Sequence, residues 1–98
     1  MKYILLLDDD RGIVDLLSAL LEDDGYYVSS TGRVADATQI LKKTRVDLLI
    51  ADIVLPDSTA FAAIDEAKRR NIACLLMHLW CEAAGLPRKM ATTQWLRG

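Results

Sequence analysis

Three stretches of the chain are apolar at consecutive positions: Tyr3-Ile4-Leu5-Leu6-Leu7, Leu48-Leu49-Ile50-Ala51 within the longer run 46–56, and Ala73-Cys74-Leu75-Leu76-Met77. Runs that are apolar on both alternating faces predict strands buried on both sides, as in a parallel sheet covered by helices. Tyr26-Tyr27-Val28-Ser29-Ser30 is β-prone as well and predicts another strand. Between these runs the apolar spacing changes to three and four. Ile13, Val14, Leu17, Leu20 and Leu21 predict a helix with Asp10 as its N-cap, closed after Glu22-Asp23-Asp24 by Gly25 as a left-handed cap. Thr31-Gly32 turns the chain into a second helix over Val34 to Lys43, with a buried stripe of Val34, Ala37, Ile40 and Leu41. Beyond Pro56, Asp57-Ser58-Thr59 offers caps for a third helix that carries Phe61, Ile64 and Ala67 and ends in Lys68-Arg69-Arg70, where the helix dipole favours positive charge. Strands alternating with helices predict the α/β class.

Two of the strands end in acid, one in Asp8-Asp9-Asp10 and the other in Asp52. A carboxylate at the end of a buried strand must reach the solvent-open mouth of the sheet, meet a cation, or take up a proton. In open parallel sheets that mouth, at the carboxyl ends of the strands, is where ligands bind. The plain alternative for Asp52 is a cap on the turn before Pro56. If both strands end at the same edge, several carboxylates meet there and cannot all ionise without a counter-cation. Oxygen ligands and few protein contacts suit Mg²⁺ better than a calcium cage, and no EF-hand loop is present.

Taken together, Ile4-Leu5-Leu6-Leu7-Asp8-Asp9-Asp10, the helix, Gly25-Tyr26-Tyr27-Val28 and Asp47-Leu48-Leu49-Ile50-Ala51-Asp52-Ile53-Val54-Leu55-Pro56 resemble the receiver domain of two-component response regulators, over residues 2–78. The resemblance implies a three-layer, doubly wound parallel sheet of the flavodoxin-like receiver type, with strand order 2-1-3-4 and the place of a fifth strand open. It implies that Asp52 is the phosphoacceptor, that Asp9 binds Mg²⁺ directly with Asp8 its water-mediated partner, and that the Val54 backbone carbonyl is a further ligand. The phosphoryl donor so implied is a sensor histidine kinase or a phosphotransfer protein. The chain is then a phosphoacceptor signalling domain rather than an enzyme.

The chain also departs from that family. His78 stands where receivers carry the Ser or Thr that hydrogen-bonds the phosphoryl group; an imidazole can donate there, but it is bulkier and titrates near neutrality. Ala60 stands in place of a glycine, which predicts a less demanding backbone or a remodelled loop. For the family's lysine the candidates are Arg97 and, by a large slip, Lys89. A receiver that has lost these functions would serve as a protein interaction module. A phosphohydrolase of the haloacid-dehalogenase type is the remaining alternative, because Leu7-Asp8-Asp9-Asp10 places an acid-x-acid pair after a strand, with Asp8 as nucleophile and Asp10 as acid/base. Gly12 in place of a Thr, and the length of the chain, weigh against it.

A chain of 98 residues, 52% of them hydrophobic, predicts one core and one receiver-like domain over residues 1–98, with 79–98 an atypical tail. A net charge of −2 without a basic block argues against a nucleic-acid footprint. Cys74 and Cys81 lack metal-type spacing and predict reduced thiols in a cytoplasmic protein. The apolar run after Met1-Lys2 is far too short for an export or membrane segment. Too few residues follow Leu79 for a fourth helix, a fifth strand and a final helix. That shortage predicts that Leu16, Leu17 and Leu20 and the edge of strand 73–77 stay partly uncovered, and hence a homodimer or a swapped assembly through the tail bearing Trp80 and Trp95.

Overall fold

The computed structural model describes residues 2–52, 60–80 and 89–96. In order these form β1 (Tyr3–Leu7), α1 (Arg11–Asp23), β2 (Tyr27–Thr31), α2 (Val34–Lys43), β3 (Leu48–Asp52), α3 (Phe61–Arg69), β4 (Ala73–Trp80) and β5 (Lys89–Leu96). The strands make one sheet in the order β2-β1-β3-β4-β5. The first four are parallel, as the 2-1-3-4 order and the flavodoxin-like α/β class require, and β5 runs antiparallel along β4.

Consecutive strand residues face opposite sides of a sheet, so each apolar run feeds two cores. Leu5, Leu7, Leu49, Ala51, Cys74 and Leu76 face α2 and α3, where Ala37, Leu41, Ala63, Ile64 and Ala67 cover them. Ile4, Leu6, Ile50 and Met77 face the other way, against Ile13, Leu17 and Leu21 of α1. Burying each leucine of this kind contributes roughly 1.5–3 kcal/mol. The ends of α1 are built by the residues expected for them. Asp10 Oδ1 accepts the Ile13 N–H at 3.2 Å. Gly25 adopts φ +92°, with its N–H on Glu22 O at 3.0 Å and the Tyr26 N–H on Leu21 O at 3.1 Å, which closes the helix on its own last carbonyls.

Leu16 and Leu20 are 57% and 56% exposed, which is the partly uncovered side of α1 that the sequence predicts, and Phe61 is 57% exposed. On α1 the 13-17-21 ridge meets the sheet, and Leu16 and Leu20 lie on the ridge beside it. On α3 the inner face is made by Ala60, Ala63, Ile64 and Ala67, small enough to bring the helix close to the sheet, and Phe61 is rotated away from it. The expected caps Asp57, Ser58 and Thr59 lie outside the described residues. The N-cap position of α3 is Ala60, with ordinary angles (φ −79°, ψ 4°), so no glycine is needed there. The edge of β4 is not bare: from Cys74 to Trp80 it is paired by β5 of the same chain. An antiparallel neighbour requires no crossover helix, and here it satisfies the edge that a parallel strand would otherwise cover.

Candidate functional site

The register of the sheet brings the acids together. Leu7 pairs with Ala51, so the next residue of each strand, Asp8 and Asp52, emerges side by side at the carboxyl edge. Carboxylate oxygens of Asp8, Asp9 and Asp52 all lie within 4.8 Å of one another. Their exposure is graded: Asp9 is exposed, Asp52 half-buried, and Asp8 only 6% exposed.

Asp8 is the strained member of the group. Its Oδ1 accepts the Asp10 N–H at 2.9 Å, and its own N–H donates to Thr31 O at 3.0 Å. Its Oδ2 is buried with no hydrogen-bond partner among the described residues. Burial pushes the Asp8 carboxyl above its ordinary range, the Asp52, Asp9 and Asp10 charges push it further, and the Asp10 N–H opposes them. An orphaned oxygen amid like charges is the arrangement that a hard divalent cation resolves, so the donors fit Mg²⁺. Asp10 has another task, since its Oδ1 caps α1.

Beside the acids lies a cavity of about 270 Å³, lined by Asp8, Asp9, Arg11, Thr31, Gly32 and Arg33 among others. Arg11 reaches Asp15 at 3.7 Å across solvent, a contact worth little. Locally Thr31-Gly32 reads as a turn; its approach to the acidic loop is a tertiary fact with no local signal.

The remaining candidates fall elsewhere. Val54 and Arg97 lie outside the described residues, as does Cys81. The His78 backbone sits in β4 opposite Thr92, one position past Met77, which pairs with Asp52. Lys89 pairs with Trp80, beyond the level of Asp52, whereas Leu96 pairs with Cys74 towards the other edge of the sheet. At that other edge Asp47 accepts the Tyr3 N–H at 2.8 Å and ties β3's approach to β1.

Fold and site together define an α/β domain with an acidic mouth at the carboxyl ends of its strands. The model of the response regulator receiver domain family matches residues 4–80, and the chain belongs to that family, whose members signal rather than act as classical enzymes. The response regulator SaeR of Staphylococcus aureus (strain USA300) is 28% identical over 79 residues, 81% of this chain and 34% of the relative, so the chain spans about a third of that protein's length. Among solved structures, the response regulator TrrA from Thermotoga maritima in complex with Mg²⁺-BeF is 28% identical, with a TM-score of 0.65 over 71% of this chain and 61% of that one. A CheY-like receiver domain from Methanospirillum hungatei JF-1 shares the fold at a TM-score of 0.75, covering 86% of this chain and 69% of its own, at 24% identity. Membership of the receiver family sets aside the dehalogenase alternative. Among the described residues no helix is long and apolar enough to cross a membrane.

Proposed function

We propose that the chain is a phosphorylatable, cytoplasmic receiver in which Asp52 accepts a phosphoryl group from a sensor histidine kinase or a phosphotransfer protein, with Mg²⁺ assisting. The observation that carries this reading is the convergence of Asp8, Asp9 and Asp52 within 4.8 Å at the mouth of the sheet. Family membership and the Mg²⁺-BeF complex of TrrA support it.

In this reading Asp9 would hold the cation directly and Asp8, with its orphaned Oδ2, through a water, while Asp52 contributes one oxygen and the Val54 carbonyl completes the proposed set. A bound Mg²⁺ would neutralise the charge that develops on the transferred group. Asp52 attacks phosphorus in line: its O–P bond forms as the donor's N–P bond, or the O–P bond of an acyl phosphate, breaks. Held at the end of a buried strand, its carboxylate needs little reorganisation to do so. In the same reading His78 takes the switch position and Arg97 the position of the family's cation.

A receiver that is not phosphorylated and serves as an interaction module is the second reading. It is favoured by His78, which stands where the family carries a Ser or Thr, and by the lack of a clean match to the family's lysine. Labelling by acetyl phosphate separates the two. Wild type is expected to take label only with Mg²⁺ present, and Asp52→Ala none; an unlabelled wild type would leave the interaction module. His78→Thr is expected to strengthen phosphorylation-dependent association, and an unchanged response would remove His78 from the switch. We assign a homodimer to the α1 face, where Leu16 and Leu20 are 57% and 56% exposed. Light scattering at micromolar concentration tests it, and a monomer mass would overturn it.

A further inference from the structure

Asp9 is exposed on the loop between β1 and α1, so backbone placement rather than packing around its side chain must aim its carboxylate. Behind that loop stands the turn between β2 and α2. Thr31 O accepts the Asp8 N–H at 3.0 Å, which carries the β1–β2 ladder one residue past the strand. Thr31 Oγ1 accepts the Arg33 N–H at 3.2 Å and folds the turn back on itself. Gly32, between them, comes so near that a Cβ on it would lie 3.2 Å from Asp9 Cα, 3.3 Å from Asp9 Cβ and 3.6 Å from Asp8 O.

Nothing in its own backbone demands glycine, since Gly25 is the glycine with positive φ among the described residues. The demand comes from the contact alone. Carbon atoms settle roughly 3.5–4.0 Å apart, so a methyl group at this position must displace Asp9 by a few tenths of an ångström. Asp8 is tied to Thr31 through its own N–H, so the wedge alters the spacing of Asp9 from Asp8 instead of shifting the pair together. Mg²⁺ tolerates that poorly, because it demands near-octahedral geometry at about 2.0–2.1 Å.

We propose that Gly32 is a positioning residue for the cation site: its missing side chain lets the β2–α2 turn brace Asp9 at the spacing from Asp8 that Mg²⁺ requires. The inference rests on the metal-assisted reading above. Its test reads metal binding, not phosphorylation. Mg²⁺ affinity is measured from the Asp9 amide signal by NMR titration, alongside metal-free melting temperature, in wild type, Gly32→Ala, Gly32→Ser and Gly25→Ala. Both Gly32 variants are expected to weaken Mg²⁺ binding by about tenfold or more, the loss typical when groups that orient metal ligands are altered. Their metal-free melting temperature stays near wild type. Gly25→Ala, strained at φ +92°, is expected to melt earlier and keep its affinity. Wild-type affinity in the Gly32 variants overturns the inference and leaves the metal-assisted reading standing. A Gly32 variant that melts early yet binds Mg²⁺ normally also overturns it, by making the contact one of fold alone. A wild type that binds no Mg²⁺ overturns both.

Discussion

Asp8 and Glu66 are both buried acids, 6% and 4% exposed, and the protein treats them in opposite ways. Glu66, on α3, has a guanidinium for each oxygen: Arg70 Nε donates to Oε2 at 2.6 Å and Arg69 Nη2 to Oε1 at 2.9 Å. The Arg70 hydrogen bond above all, with Arg69 behind it, holds its carboxyl below the ordinary range. Asp8 has carboxylates for neighbours and one oxygen without a partner among the described residues, and burial raises it. Burial of charge by itself therefore says nothing about function. What separates a structural acid from a site is whether the chain supplies the counter-charge or leaves it to be bound.

The largest expected effect that follows from this contrast is the response to metal. Mg²⁺ at about a hundredfold its dissociation constant stabilises a protein that binds it only when folded by about 2.7 kcal/mol. Wild type and Glu66→Gln are expected to show such a shift in thermal melting and Asp9→Ala to lose it. An equal shift in all three would erase the distinction between the two acids. Next in size are the substitutions themselves without metal at neutral pH. Asp8→Asn is expected to raise the melting temperature, because it removes a repelled charge, and Glu66→Gln to lower it, because it leaves two arginines unpaired. Opposite signs in chemical denaturation would confirm the contrast; the same sign would break it.

The pH dependence is subtler. The folded pKa of Asp8 lies above its ordinary 3.8, so the folded state holds the proton more tightly, and metal-free stability rises as pH falls from above the folded value towards 3.8. For Glu66 the folded pKa lies below 4.5, so its contribution is complete above 4.5 and is lost as pH falls through the folded value. Denaturant melts in a metal chelator, taken from neutral into acid, are expected to rise and then fall, and saturating Mg²⁺ or Asp8→Asn to remove the rise. The smallest effect belongs to Phe61→Ala, on the same helix as Glu66 but 57% exposed: a stability change within about 0.5 kcal/mol and an unaltered Mg²⁺ shift.

Much of this arrangement is legible in the residues. The acids at the ends of two apolar runs imply a shared mouth, and the register of Leu7 with Ala51 delivers it. The Asp10 cap and the left-handed Gly25 follow from local chemistry and stand where expected. Helical spacing marks the apolar stripe of α1 without saying which of two adjacent ridges meets the sheet, and it is the 13-17-21 ridge that does, with Leu16 and Leu20 left exposed beside it. The tail is a separate case. A residue count bears on a parallel completion of the sheet, whereas β5 pairs with β4 antiparallel.

By itself the sequence determined the order and kind of the first seven elements, the two faces of the sheet and the strands that carry the acids, because strand and helix periods and caps act between residues a few positions apart. Only the tertiary structure decided that Asp8 Oδ2 is left without a partner among the described residues, that Glu66 is neutralised, that the turn at Gly32 leaves too little room for a side chain beside Asp9 and that β5 runs backwards along β4. Each of these depends on which distant segments meet and at what distance. A linear pattern contains no term for that.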